Sequence, residues 1–201
     1  MTAQPATRLW MVRHGATEWS RSGQHTSVTD LPLLEDGEED ARRVGERLGN
    51  TTFDLVLTSP RRRARDTATG AGFGDAEVDE DLVEWAYGPG EGMTSDEIRE
   101  KVPGWRIWTH GAPQFDRDEY ADGETIDDVS SRLQRVVDRV RASGAADALV
   151  FGHGHSLRAL AMAWLGFDVA MGKHFPLQTG TVSILGYEKD NPAIVKWNAD
   201  D

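Results

Sequence analysis

The apolar run "RLWMVR" over 8–13 stops abruptly at Arg13, His14 and Gly15. Short apolar runs closed by turn residues are the pattern of buried strands. The same pattern predicts strands over "FDLVLTS" (53–59), a shorter one near 76–80, and one over "DALVFG" (147–152). "TVSILGYE" and "PAIVKWNA" predict two last strands, compatible with a hairpin. Between the strands the period changes. Ala41, Val44 and Leu48 recur at helical spacing within 35–49, and Gly49 fits a C-cap.

Ser59-Pro60 fits an N-cap followed by proline at the first helical position, which opens a helix directly behind a strand. Thr94 with Glu97, and Thr125 with Asp128, fit capping boxes for helices near 95–101 and 126–142. "HSLRALAMAWLG" predicts a helix after the 147–152 strand. Residues 103–124, rich in Trp, Gly, Pro and Asp, predict a partly ordered loop. No internal repeat is present. Strands alternating with helices imply an α/β fold with a mostly parallel sheet covered on both faces. The 201 residues suit one such domain, 1–201, with 93–125 as an insertion bordering the site.

Composition narrows the partners. The chain has 22 Lys plus Arg against 34 Asp plus Glu, a net charge of −12, which argues against nucleic acid and anionic membranes. There is no cysteine, so disulfides, thiolate metal sites and cysteine nucleophiles are excluded. "MTAQPATR" carries no signal-peptide pattern and no apolar run approaches a membrane span, so a cytoplasmic location is expected.

Parallel sheets place their sites at the carboxyl ends of strands. Those ends carry Arg13-His14-Gly15, Ser59-Pro60-Arg61-Arg62-Arg63 and Gly152-His153-Gly154-His155. Helix N-termini favour anions, and arginine grips phosphate with a planar fork. Histidine serves as nucleophile, acid–base or ligand, and glycine lets backbone approach a ligand closely. Together these describe a phosphate pocket with two imidazoles. Arg62 and Arg65 are expected to face solvent or acidic neighbours. "HGH" also fits a plain turn, or half of a metal site through His153 and His155, for which no third ligand stands at obvious spacing. In "LVEWAYGPGEG", Glu84 stands among Leu82, Val83, Trp85 and Tyr87, and an apolar setting favours the protonated form of a carboxylic acid, which suits a general acid. Glu91 competes for that role.

The segments "VRHGATEWS", "TDLPL…GEEDA", "TSPRRRARDTA", "LVEWAYGPGEG", "GET" (123–125) and "VFGHGHSLRAL" resemble the histidine phosphatase superfamily, which includes the cofactor-dependent phosphoglycerate mutases. The resemblance spans nearly the whole chain. It implies a three-layer α/β/α sandwich and catalysis through a phosphohistidine, with no metal and no cofactor. His14 matches the nucleophile, Arg13, Arg63 and His153 the rest of the phosphate pocket, and Glu84 the proton donor. Arg63 is chosen because the family's arginine directly precedes the alanine, here Ala64. Arg61 stands where an apolar residue is commoner, Ser20 where many members have asparagine, and Ser27 where many have glycine.

Ser20 is shared with a subgroup of sugar bisphosphatases and acid phosphatases that this chain is similar to. By analogy Gln24, His25, Thr26, Trp85, Tyr87, Gly154 and Arg158 border the substrate, a small phosphorylated molecule such as a sugar phosphate. Arg158 and Lys173 are candidates for a second anionic group. Trp105 and Trp108 either cover the pocket or form an interface between copies of a homo-oligomer. Two other functions share the pattern. A mutase would need extra cations in the insertion, where Arg99, Lys101, Arg106 and Arg117 are scattered in an acidic stretch. A protein phosphatase or regulatory member is the other alternative.

Overall fold

The computed structural model describes residues 7–117 and 119–200. One six-stranded sheet runs in the order β3-β2-β4-β1-β5-β6. Its strands are β1 (Arg8–Arg13), β2 (Leu55–Thr58), β3 (Glu77–Val78), β4 (Asp147–Gly152), β5 (Val182–Glu188) and β6 (Asn191–Ala199). β1, β2, β3 and β4 are parallel, whereas β5 and β6 form an antiparallel hairpin beside β1. The register sets Arg13 opposite Gly152, which brings the His14 and His153 loops side by side.

Helices cover both faces. α2 (Glu35–Leu48) and α3 (Arg62–Gly70) pack through Val44, Leu48 and Ala68 against Val12, Leu149 and Phe151. α6 (Ile126–Ala142) and α7 (Gly154–Leu165) pack on the other face, where Val129, Leu133, Leu157 and Leu160 meet Leu9, Met11 and Val150. The core is therefore split between two layers of contact, as a three-layer sandwich requires.

Gly49 does close α2, with φ +57°, and both capping boxes exist, at Thr94 for α4 (Ser95–Lys101) and at Thr125 for α6. Three expectations change. β2 covers only Leu55–Thr58, and α3 starts at Arg62 with Arg61 as N-cap. Ser59 does not cap it, because its hydroxyl oxygen takes the Arg61 amide and the His153 ring instead. α1 (Glu18–Ser22) was not foreseen, yet Thr17 and Ser20 form a capping box that opens it. The 103–124 stretch is more ordered than the expected loop: its described residues hold α5 (Ile107–His110) and bury Trp105 and Trp108. Among the described residues no helix is long and apolar enough to cross a membrane.

Candidate active site

A cavity of about 270 Å³ opens at the carboxyl ends of β1 and β4. Arg13, His14, Glu84, Tyr87, Gly154, His155 and Arg158 line it, together with Ser20, Gln24, His25 and Thr26 from the segment after β1.

His14 is 5% exposed. Its Nδ1 lies 2.8 Å from the Gly15 carbonyl oxygen. A carbonyl only accepts, so Nδ1 carries the proton and Nε2 the lone pair. Burial, Arg63 and Arg13 hold this imidazole well below the ordinary histidine range, hence neutral. Gly15 clears space as expected, but for the protein itself. A Cβ there would lie 2.2 Å from the Gly37 carbonyl oxygen, so the glycine lets α2 press against the His14 loop.

The second imidazole lies directly beside the first, with ring centroids 5.3 Å apart. Arg63 Nε–H donates to His153 Nδ1 at 3.1 Å, so the ring proton sits on Nε2 and is donated to Ser59 Oγ at 2.7 Å. Burial and the neighbouring Arg63 push His153 well down as well, so it is neutral in this structure.

The two arginines divide the work. Arg13 lines the cavity, bonds the Leu177 carbonyl through one terminal nitrogen, and keeps a buried Nε with no partner. Gly154 makes room for it, since a Cβ there would stand 3.2 Å from Arg13 Cζ. Arg63, fully buried, does not line the cavity. Four contacts, to His153 Nδ1 and to the carbonyls of Thr26, Ser27 and Thr29, occupy four of a guanidinium's five donors. Burial pulls both guanidiniums below their usual range.

Glu84 is the carboxylate on the cavity wall. Its Oε1 accepts the amides of Trp85 and Ser156, each at 2.8 Å, and Oε2 accepts the amide of His155 at 3.0 Å. The group seated at the α7 N-terminus is thus this side chain, which sits on amides rather than among bare rings. Glu91 is separated from the cavity and accepts the amides of Ser27 and Thr29.

The wall beyond Glu84 is aromatic. Tyr87 Oη lies 2.8 Å from His155 Nδ1, and His25 packs on both rings. His25 is pushed down to about 4 by burial and by Arg99. Trp105 backs His25, and Trp108 backs His155. These two tryptophans form the rear of the wall and are buried, which leaves them unavailable as an exposed interface. Arg158 stacks on Trp108 at 4.5 Å, bonds the Gly172 carbonyl twice, and titrates at about 10 because burial lowers it.

Several expected contacts differ. Trp85 does not border the cavity: its indole is fully buried, donates to the Glu124 carbonyl and meets Trp108 edge-on. Lys173 is exposed and away from the cavity, so Arg158 is the distal cation. The hydroxyl of Ser20 and the amide of Gln24 line the rim while bonded to Thr17 and Gly92, so they shape it more than they offer free donors. The "HGH" imidazoles turn to different partners, Ser59 with Arg63 and Tyr87, and do not converge on one metal position. Trp19, Ser95 and Leu177 line the cavity without having been singled out. The Thr17/Ser20 capping box is the signal that places Trp19 on a helix. Arg62 pairs with Asp66 and Arg65 is exposed, both as expected.

The chain has relatives of known sequence and structure. The chain is 38% identical over 184 residues to an acid phosphatase of Mycobacterium tuberculosis, covering 90% of this chain and 87% of that one. It is 38% identical over 194 residues to sedoheptulose 1,7-bisphosphatase of Saccharomyces cerevisiae, covering 81% and 69%. A solved structure of a Mycobacterium tuberculosis open reading frame superposes with a TM-score of 0.87 at 36% identity, covering 96% and 97%. A mycobacterial glucosyl-3-phosphoglycerate phosphatase solved with VO3 gives 0.81 at 28% identity, covering 97% and 100%. These likenesses support a phosphatase. Residues 9–200 match the histidine phosphatase superfamily, branch 1, and the chain belongs to that family.

Proposed function

We propose that this protein hydrolyses small phosphate monoesters, of the sugar phosphate or sugar bisphosphate class, through a phosphohistidine on His14. One observation carries the reading: a neutral imidazole with its Nε2 lone pair free shares a cavity with an arginine whose Nε is unpartnered and with a carboxylate.

In the first step His14 Nε2 bonds to phosphorus as the ester P–O bond breaks, and Glu84 gives a proton to the leaving oxygen. In the second, water attacks phosphorus, the P–N bond breaks, and the Glu84 carboxylate takes the water's proton, releasing orthophosphate. Oε2 is suited to hold that proton, because it accepts one amide where Oε1 accepts two. Arg13, which lines the cavity, stabilises the equatorial oxygens, where positioned charge counts most, and the buried Arg63 adds its charge from behind, through His153. His153, held by Arg63 and Ser59, supports that face of the pocket. The residues themselves supply the positive charge, so the reaction needs no metal or cofactor.

Substrate class follows from the rest of the wall. Tyr87, His25 and His155 present ring faces and polar tips suited to a polyol chain. Arg158 adds a positive charge that the phosphoryl step does not use, and so favours substrates with a second anionic group. Hydrolysis is favoured over a mutase because three of the insertion's four cations are engaged elsewhere and the fourth, Arg106, is exposed and does not line the cavity. Arg99 pairs with Asp96, Lys101 lies over Phe115, and Arg117 pairs with Glu119. The test is a panel of sugar mono- and bisphosphates, with 3-phosphoglycerate and the bisphosphate cofactor as the mutase arm. Phosphate release from sugar esters is expected; isomerised phosphoglycerate without release would overturn the reading.

A further inference from the structure

Glu91 takes no part in the steps above, yet it is 1% exposed. Both its carboxylate oxygens accept the Ser27 amide, at 2.9 and 3.0 Å, and Oε1 also accepts the Thr29 amide at 3.0 Å. The other edge of the same short loop faces a cation. The carbonyls of Thr26, Ser27 and Thr29 accept from Arg63 at 3.0, 3.5 and 3.1 Å. Residues 26–29 are therefore clamped between a carboxylate on their N–H side and a guanidinium on their C=O side. Arg63 continues the chain to His153, and His153 to Ser59.

We propose that Glu91 is a positioning residue for the phosphoryl site, acting on Arg63 and His153 through the 26–29 loop. This rests on the assignment of Arg63 and His153 to that site. A negative charge against the amide edge polarises each peptide toward its carbonyl, which strengthens the bonds those carbonyls accept. Arg63 has one direction to point as long as all three carbonyls hold. Arg117 secures the far side by bonding the carbonyls of Pro89 and Glu91, which fixes the backbone from which the carboxylate projects. A carboxylate taken out of water loses its solvation, so burying one on peptide groups alone is a costly way to shape a loop.

The experiment is a double-mutant cycle between Glu91→Met and Arg63→Ala, with p-nitrophenyl phosphate as substrate and orthophosphate as competing ligand. A displaced catalytic group typically costs about 100-fold, so Glu91→Met is expected to lower kcat/KM on that order in the native background. In the Arg63→Ala background it should change kcat/KM by less than about twofold, the range of non-interacting pairs. Glu91→Gln keeps one oxygen able to accept both amides, so its loss should be smaller than that of Glu91→Met, with orthophosphate inhibition weakened only while Arg63 is present. If Glu91→Met fails to fold, this Gln comparison decides. Equal losses in both backgrounds, or no loss in either, overturn the inference alone. Full activity in Arg63→Ala would instead overturn the assignment of Arg63, and the inference with it.

Discussion

His14 Nδ1 donates to the carbonyl oxygen of its neighbour Gly15 across 2.8 Å, and this one bond selects the tautomer with the lone pair on Nε2, the atom that attacks phosphorus in the proposed reaction. The tautomer is set within a single dipeptide, before any ligand arrives. Replacing His14 by Ala removes the group that carries the phosphoryl in the proposed reaction. The loss should exceed the roughly 100- to 1000-fold typical of one charge donor. Quenching turnover of a labelled substrate should trap a base-stable, acid-labile phosphoenzyme in the native protein and none in the variant; a His14→Ala enzyme with native turnover would refute covalent catalysis here.

Three buried imidazoles and a half-buried one, His155, make the fold sensitive to acid. His14, His153 and His155 lie well below the ordinary value and His25 near 4, all with burial as the largest cause. The unfolded chain binds protons at about 6.5 that the folded chain refuses, so stability falls as pH drops below that value. Each such group contributes a slope of up to about 1.4 kcal/mol per pH unit between its folded and unfolded values. Melting curves from pH 7.5 to 4.5 should show Tm declining, and His25→Gln should flatten the decline. The same depression has an opposite sign for catalysis. Because His14 stays neutral, the acid limb of kcat/KM should lie below 6.5, and activity should persist where ordinary histidines are charged.

Two glycines beside the site predict different failures. Gly15→Ala drives a Cβ to 2.2 Å from the Gly37 carbonyl oxygen, backbone against backbone, so α2 must move. Overpacking of this kind costs about 1–3 kcal/mol or more, and the readout is a lowered denaturation midpoint. Gly154→Ala places its Cβ 3.2 Å from the Arg13 guanidinium carbon, a side chain that can shift. Its midpoint should stay close to native while KM rises, because the displaced group is the cavity's open cation. A large stability loss in Gly154→Ala with unchanged KM would contradict that division.

The sequence announces this site unusually well where chemistry and strand ends coincide. Arg13, His14 and His153 could be placed because apolar runs stop at them. The sequence favours Glu84 over Glu91 through its apolar neighbours and the family resemblance, but how each carboxylate is held is not legible in the chain. That depends on which carboxylate meets the amides of α7 and which meets those of Ser27 and Thr29. Trp85 misled for a similar reason. It is adjacent to Glu84 in sequence, but neighbours in an extended segment point to opposite sides, and its indole goes into the core. The occupation of Arg63 by loop carbonyls was equally hidden, since no pattern in residues 26–29 marks which backbone oxygens turn inward.

The role of Glu84 has a signature that separates proton transfer from general damage to the pocket. A leaving group that departs readily as an anion needs no proton, whereas an alkoxide does. Glu84→Gln keeps the shape and an oxygen to accept from the amides of Trp85 and Ser156, sets an NH2 group against the His155 amide, and loses the exchangeable proton. On sugar phosphates the variant should lose about 100- to 10,000-fold, the usual contribution of general acid–base catalysis. On p-nitrophenyl phosphate the formation of the phosphoenzyme should lose far less, and the burst of p-nitrophenol should survive. Its breakdown should slow, because the same carboxylate must take a proton from water. Phosphoenzyme should therefore accumulate in Glu84→Gln with p-nitrophenyl phosphate and not with sugar phosphates. Equal losses of burst and turnover on both substrates would mean that Glu84 holds the α7 N-terminus in place and transfers no proton.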